Sequence, residues 1–139
     1  MSEGQRELLP PLLQQSLDRR DFYYRASTQF SLGPAGSGSP PHYHMAAANV
    51  LVYGRKHWWL LPPNEAVYSA MPVGAWRDAG GPATLREDGR SLAECVQEAG
   101  DVLYVPDHWG HAVLNLRPSV GFASELATAR GHSMRFEMA

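Results

Sequence analysis

Residues 40–63 read PPHYHMAAANVLVYGRKHWWLLPP. Two apolar runs, Asn49–Tyr53 and Lys56–Leu61, flank Gly54-Arg55, and Pro62-Pro63 ends the second run. Runs of this length rich in β-branched and aromatic residues read as strands, and a two-residue gap containing glycine reads as a hairpin. In such a hairpin Tyr53 and Lys56 face each other across the turn and share one side of the sheet. His42 and His44 stand two apart just upstream. In an extended strand, positions i and i+2 point to the same face, so two imidazoles are presented one pleat apart.

Outward from this stretch the chain keeps a β character. Phe22–Leu32 is rich in aromatics and alternates weakly, as a strand does. Gly33–Pro41, GPAGSGSPP, is dense in turn residues and reads as a loop. Residues 64–90 hold many Gly, Pro and Ala residues and read as a long excursion with a short helical turn near Trp76. Leu92–Gln97, Val102–Val105, Ala112–Leu116 and Val120–Glu125 give four more short strands, with Gly100-Asp101 as a tight turn. Before them all, Leu8, Leu9, Leu12, Leu13 and Leu17 make an apolar stripe of roughly helical spacing within Ser2–Asp21, with Pro11 fit to open the helix. That stripe is suited to packing on a sheet, or to pairing with a second copy as a homodimer. Ala127–Ala139 is a helical or loose tail. The expectation is one compact domain over residues 1–139: a helical segment at 1–21, a β core at 22–126 and a tail at 127–139. Seven short strands separated by turn signals argue for an all-β fold with a peripheral helix, a sandwich or barrel of the jelly-roll kind.

Composition narrows the function classes. The 139 residues are 44% hydrophobic and 19% charged, with a net charge of −2, so no basic face invites nucleic acid. No apolar run approaches the ~20 residues that span a bilayer. The polar start, MSEGQRELL, has no apolar core of a signal peptide. Cys95 is the single cysteine, which excludes an internal disulfide and fits a reducing, cytoplasmic setting.

A second stretch, Ala99–Leu116, reads AGDVLYVPDHWGHAVLNL. It places His111 on another strand behind a proline-containing loop. Three histidines from two barrel strands, His42, His44 and His111, form a facial set that suits Fe, Zn, Cu or Ni and disfavours Mg or Ca. No Asp or Glu occurs between Phe22 and Asn64, so an acidic ligand cannot come from the first histidine segment. Three histidines plus water also suit catalytic zinc.

These two stretches resemble the cupin superfamily and, more narrowly, the JmjC domain family. Gly36, His42 and His44 match the first cupin motif, Gly-x5-His-x-His; Ala48 or Asn49 stands where its glutamate ligand falls. Gly100, Pro106, His111 and Asn115 match the second motif, with His108 where glycine is usual. The resemblance covers Phe30 to about Glu125. It implies a double-stranded β-helix, a cupin-type jelly roll. It further implies an Fe(II) site, 2-oxoglutarate as cosubstrate, and oxygenase chemistry of the hydroxylase or demethylase type on a protein or small-molecule substrate. By position, His42 and His111 match metal ligands, and His44 takes the place of the usual Asp or Glu. Lys56 matches the lysine that pairs with the far carboxylate of 2-oxoglutarate, and Ser39 matches a hydroxyl that bonds the same carboxylate. Tyr53, across the expected hairpin, adds a second donor. Two other readings stay open beside this one: a cupin metalloprotein using three-histidine Fe or Zn without 2-oxoglutarate, and a non-catalytic, metal-stabilised interaction module.

The remaining candidates read as structural. Trp58, Trp59 and Trp109 pack in the core. His57 alternates away from Lys56 to the outer face. Asn115 satisfies groups at a strand end. His108 and Asp107 belong to a loop, His132 to the tail, and Cys95 is a small buried residue.

Overall fold

Along Arg55–Leu61 the chain buries both faces. Lys56, Trp58 and Leu60 point one way; Trp59 and Leu61 point the other, and all five are buried. A strand covered on both sides is a near-continuous apolar run rather than an alternating one, which is the pattern WWLL carries. The computed structural model describes residues 22–128, and the expected N-terminal helix and most of the expected tail lie outside the described residues.

The described chain runs β1 (Phe22–Gly33), β2 (Gly38–His42), β3 (Ala47–Tyr53), β4 (Arg55–Leu61), a 3-10 turn (Pro63–Glu65), α1 (Val73–Asp78), α2 (Gly81–Glu87), β5 (Ala93–Glu98), β6 (Val102–Val105), β7 (Gly110–Asn115) and β8 (Ser119–Thr128). Two four-stranded sheets, ordered β1-β8-β3-β6 and β2-β7-β4-β5, are antiparallel throughout. This order is the jelly roll, the cupin-type double-stranded β-helix.

Side chains between the sheets form one core: Trp58, Leu60, Val105 and Val113, joined by Cys95, Leu103 and Trp109. A second core lies outside the β2-β7-β4-β5 sheet. There Trp59, Val73, Ala112 and Leu114 pack with Trp76 and Leu92 beneath α1 and α2, with the Trp59 and Trp76 rings edge to face at 5.5 Å. Truncating either Trp58 or Trp59 to alanine costs roughly 3–5 kcal/mol.

The structure corrects three expectations. First, β3 and β4 do not form a hairpin, because they belong to different sheets. The chain turns through Gly54 alone, at φ +98°, in close approach to Pro118 and Ser119. This is an arch across the sandwich, and its apolar flanks look the same in sequence as those of a hairpin. It lets Leu51 and Trp58 face the shared interior from opposite sheets. The Gly100 turn is likewise an arch, from β5 in one sheet to β6 in the other. Second, the turn-rich loop contains β2, whose Gly38 and Ser39 pair with Leu114 and Val113. Its two prolines are tolerated because β2 is an edge strand with an irregular register between Ser39 and His42. Third, β8 continues to Thr128, so Ala127 and Thr128 extend a strand rather than open a tail. The helical turn expected near Trp76 is α1; α2 follows it unannounced.

Candidate metal centre

His42 ends β2 opposite His111 near the start of β7. His44 lies just beyond β2, not on it, so the pleat does not bring the first two histidines together. The turn after β2 does. Their ring centroids are 5.3 Å apart, and His111 lies 4.2 Å from His42 and 4.7 Å from His44. A candidate ligand atom from each ring lies within 4.8 Å of the other two.

Backbone carbonyls hold each ring in place. Nδ1 of His42 is 2.7 Å from the Pro40 carbonyl, Nδ1 of His44 is 2.6 Å from that of Met45, and Nδ1 of His111 is 3.0 Å from that of Trp109. A carbonyl only accepts, so each Nδ1 carries the proton and each Nε2 keeps a lone pair. Three imidazoles are thus set in one tautomer, with Nε2 as the donor atom, an arrangement found around bound transition metals. Burial pushes the pKa of His42 down, against the opposing bond from Pro40. Burial also pushes His111 down to about 4. Neutral imidazole is the ligand form, so these residues fit a divalent transition metal.

His108 explains its own departure from the glycine usual at that place. Its backbone adopts φ +59°, in the left-handed region that glycine favours. Its N–H donates to the His44 carbonyl at 2.9 Å, so the β6–β7 loop fixes the backbone of a candidate ligand. Its ring lies 3.1 Å from Asp107.

Lys56 points into the same barrel interior from β4 and is 4% exposed. Its ammonium donates to Ser31 Oγ at 3.3 Å. Among the described residues no carboxylate pairs with it, and burial pushes its pKa down. Ser31 on β1 was not legible as a partner: nothing in a serine 25 positions upstream points at a lysine. Ser39 stands opposite Val113, and β7 separates its strand from that of Lys56. Tyr53 is 64% exposed at the end of β3, opposite Val120 of β8 in the same sheet, whereas Lys56 belongs to the other sheet; without the hairpin, its expected place beside Lys56 falls away.

The remaining polar groups are structural. Asn115 donates to Ser37 Oγ at 3.0 Å, tying down the loop before β2. Trp58 Nε1 donates to Gln97 Oε1 at 3.0 Å, and Gln97 in turn donates to the carbonyls of Asn49 and Asp101. His57 lies on the outer face, 2.9 Å from Glu94. Beside His44 and His111 is a cavity of about 40 Å³, lined also by Gln29, Asn49, Trp58 and Glu125, with room for a few waters.

A jelly-roll barrel with three convergent imidazoles and a buried cation defines a cupin-type barrel with a metal-competent centre. A family model described as the JmjC domain matches residues 12–134, and the chain belongs to that family. JmjC domain-containing protein 8 of Homo sapiens is 43% identical over 93 residues, covering 66% of this chain and 34% of that protein. The arginine-specific demethylase JMJ22 of Arabidopsis thaliana is 29% identical over 111 residues, covering 70% of this chain and 22% of that protein. The 2-oxoglutarate and iron-dependent oxygenase JMJD4 of Homo sapiens is 37% identical over 103 residues, covering 63% and 24%. The chain thus spans about a third or less of the length of these curated relatives. Among the described residues no helix is long and apolar enough to cross a membrane.

Proposed function

We propose that this chain is the barrel of an Fe(II)- and 2-oxoglutarate-dependent oxygenase with a three-histidine metal centre. One observation carries the reading: a buried ammonium with no acidic partner among the described residues shares the barrel interior with three imidazoles in the ligand tautomer. An uncompensated buried charge is costly unless something of opposite sign meets it, and a dicarboxylate does so. In this reading His42, His44 and His111 hold the metal through Nε2. Lys56, with Ser31 beside it, neutralises the far carboxylate of the oxo acid, and Ser39 adds a hydroxyl from β2. Bound iron supplies the oxygen chemistry. The chain's own part is to orient the oxo acid between cation and metal, and to exclude bulk water with Trp58, Leu60 and Val113. A protein side chain is the favoured substrate class, since one relative is an arginine-specific demethylase.

A second reading rests on Trp58. It lies between Lys56 and Leu60 along β4, and Leu60 is the cross-strand partner of His111. The indole ring is 6.1 Å from the His111 ring. The cavity at the histidines is about 40 Å³, so seating an oxo acid there requires its lining, of which Trp58 is the largest side chain, to give way. Left in place, Trp58 favours a three-histidine Fe or Zn cupin that works without 2-oxoglutarate. An anaerobic titration of the metal-stripped protein with Fe(II), then 2-oxoglutarate, separates the two. A visible charge-transfer band lost in His44→Ala supports the first reading. Iron binding without the band supports the second, and no metal binding removes both.

A further inference from the structure

The histidine segment carries no acid, yet the barrel brings one to the cavity from the far end of the chain. Glu125 lies on β8 opposite Ala47 of β3, three residues after His44. The next residue, Leu126, donates its N–H to the Ala46 carbonyl at 2.6 Å, closing β8 onto the segment that leaves the histidine turn. On its other side Ala47 pairs with Val105, just before the loop that leads to His111. Ala47, Asn49, Ala123, Val105 and Glu125 all line the cavity shared with His44 and His111. Glu125 is the only carboxylate among those lining residues. The Asn49 side-chain oxygen is buried there without a hydrogen-bond partner among the described residues, so the cavity holds one acceptor that none of their donors meets.

We propose that Glu125 supplies the acidic group that the three histidines lack, facing a divalent cation held by His42, His44 and His111 and offsetting part of its charge. Three neutral imidazoles leave the charge of such an ion undiminished; a carboxylate lining the same small cavity meets it at low dielectric, where opposite charges attract most strongly. The acid reaches the site through the pairing of β8 with β3, some eighty residues after the first histidine, so no local motif contains it. This inference rests on the metal-centre part of the proposed function and holds for iron or zinc, with or without 2-oxoglutarate.

The test is metal affinity, not turnover. Chelator-stripped protein is titrated with Zn(II) in competition with an indicator and with Co(II) under its visible spectrum, for the unsubstituted chain, Glu125→Gln and Glu98→Gln. Glu98 is exposed and pairs with Arg55, so its variant controls for net charge. Glu125→Gln is expected to weaken Zn(II) binding about 10–100-fold, the effect of removing a supporting group around a metal, and to change the Co(II) spectrum, while Glu98→Gln does neither. Thermal unfolding of the stripped variants shows whether Glu125→Gln is folded. A folded Glu125→Gln with unchanged affinity and spectrum overturns the assignment and leaves the three-histidine site standing. A misfolded Glu125→Gln sends the test to Glu125→Ala, where unchanged affinity overturns it equally, with Glu125→Asp, which keeps the carboxylate, expected to bind more tightly than Glu125→Ala. If the unsubstituted chain binds neither metal, both readings fall.

Discussion

Replacing Lys56 with methionine tests whether the buried ammonium is there for a ligand. Methionine keeps most of the length and loses the charge. In the ligand-free protein Lys56 has three donors, one partner among the described residues, the Ser31 hydroxyl at 3.3 Å, and 4% exposure. Losing the charged bond to Ser31 costs about 1.5–3 kcal/mol, while each buried unpaired donor relieved returns about 1–3 kcal/mol. With two donors relieved, Lys56→Met is expected to stabilise the ligand-free barrel by about 1–2 kcal/mol. For a chain of this size that raises Tm by roughly 3–6 °C. The assay is thermal unfolding in chelator, then with a redox-silent divalent metal and 2-oxoglutarate. The unsubstituted protein should gain about 2.7 kcal/mol at a hundred times Kd of the oxo acid, and the variant should gain almost none. A variant that is less stable without ligand, and still gains as much from 2-oxoglutarate, would refute the reasoning. Lys56 would then be a packed structural residue.

Three further outcomes follow from the geometry. Gln97→Leu leaves the buried Trp58 indole N–H without its acceptor and takes one donor from the carbonyls of Asn49 and Asp101, the latter still held by the Leu51 N–H, and should lose about 1–3 kcal/mol in urea unfolding. Gly54→Ala sets a Cβ against Pro118 and Ser119 at φ +98°, and should destabilise by more than ~1 kcal/mol, whereas Gly89→Ala, in open space at φ +75°, tests the backbone contribution alone. The metal-free protein should weaken in acid. His111 sits at about 4 against an ordinary 6.5, so between those values the unfolded chain binds the extra proton. Stability present above pH 6.5 is lost as pH falls toward 4, by about 3 kcal/mol, and urea curves at pH 7 and 4 should show that difference shrinking in His111→Gln.

Strand positions were readable because strands announce themselves locally; sheet membership was not. Asn49–Tyr53, Lys56–Leu61 and the four later strands lie close to where their apolar runs place them. Yet Gly54 and Gly100, which look like hairpin turns, carry the chain between sheets, because only long-range packing distinguishes an arch from a hairpin. The histidines were legible through spacing and two separated motifs, and the structure gathers all three. Their convergence owes less to pleating than to the turn after His42. Tyr53 failed with the hairpin that placed it. Ser31 and Glu125 could not be read at all, since each meets its neighbourhood through pairing across most of the chain.

The order of strands in the β1-β8-β3-β6 sheet also governs when the molecule can assemble. Among the described strands β8 is the last made, and it sits between β1 and β3. Until it leaves the ribosome, β1 has no partner among the described strands of its sheet, and of those only the β3–β6 pair can form there. His42 and His44 are therefore synthesised into an open half-barrel and wait for residues more than seventy positions later before the interior closes. Such late, non-local closure makes folding slow and leaves strand edges bare during synthesis. Nascent chains stalled before residue 119 should accordingly be far more susceptible to protease and self-association than chains released just after residue 128.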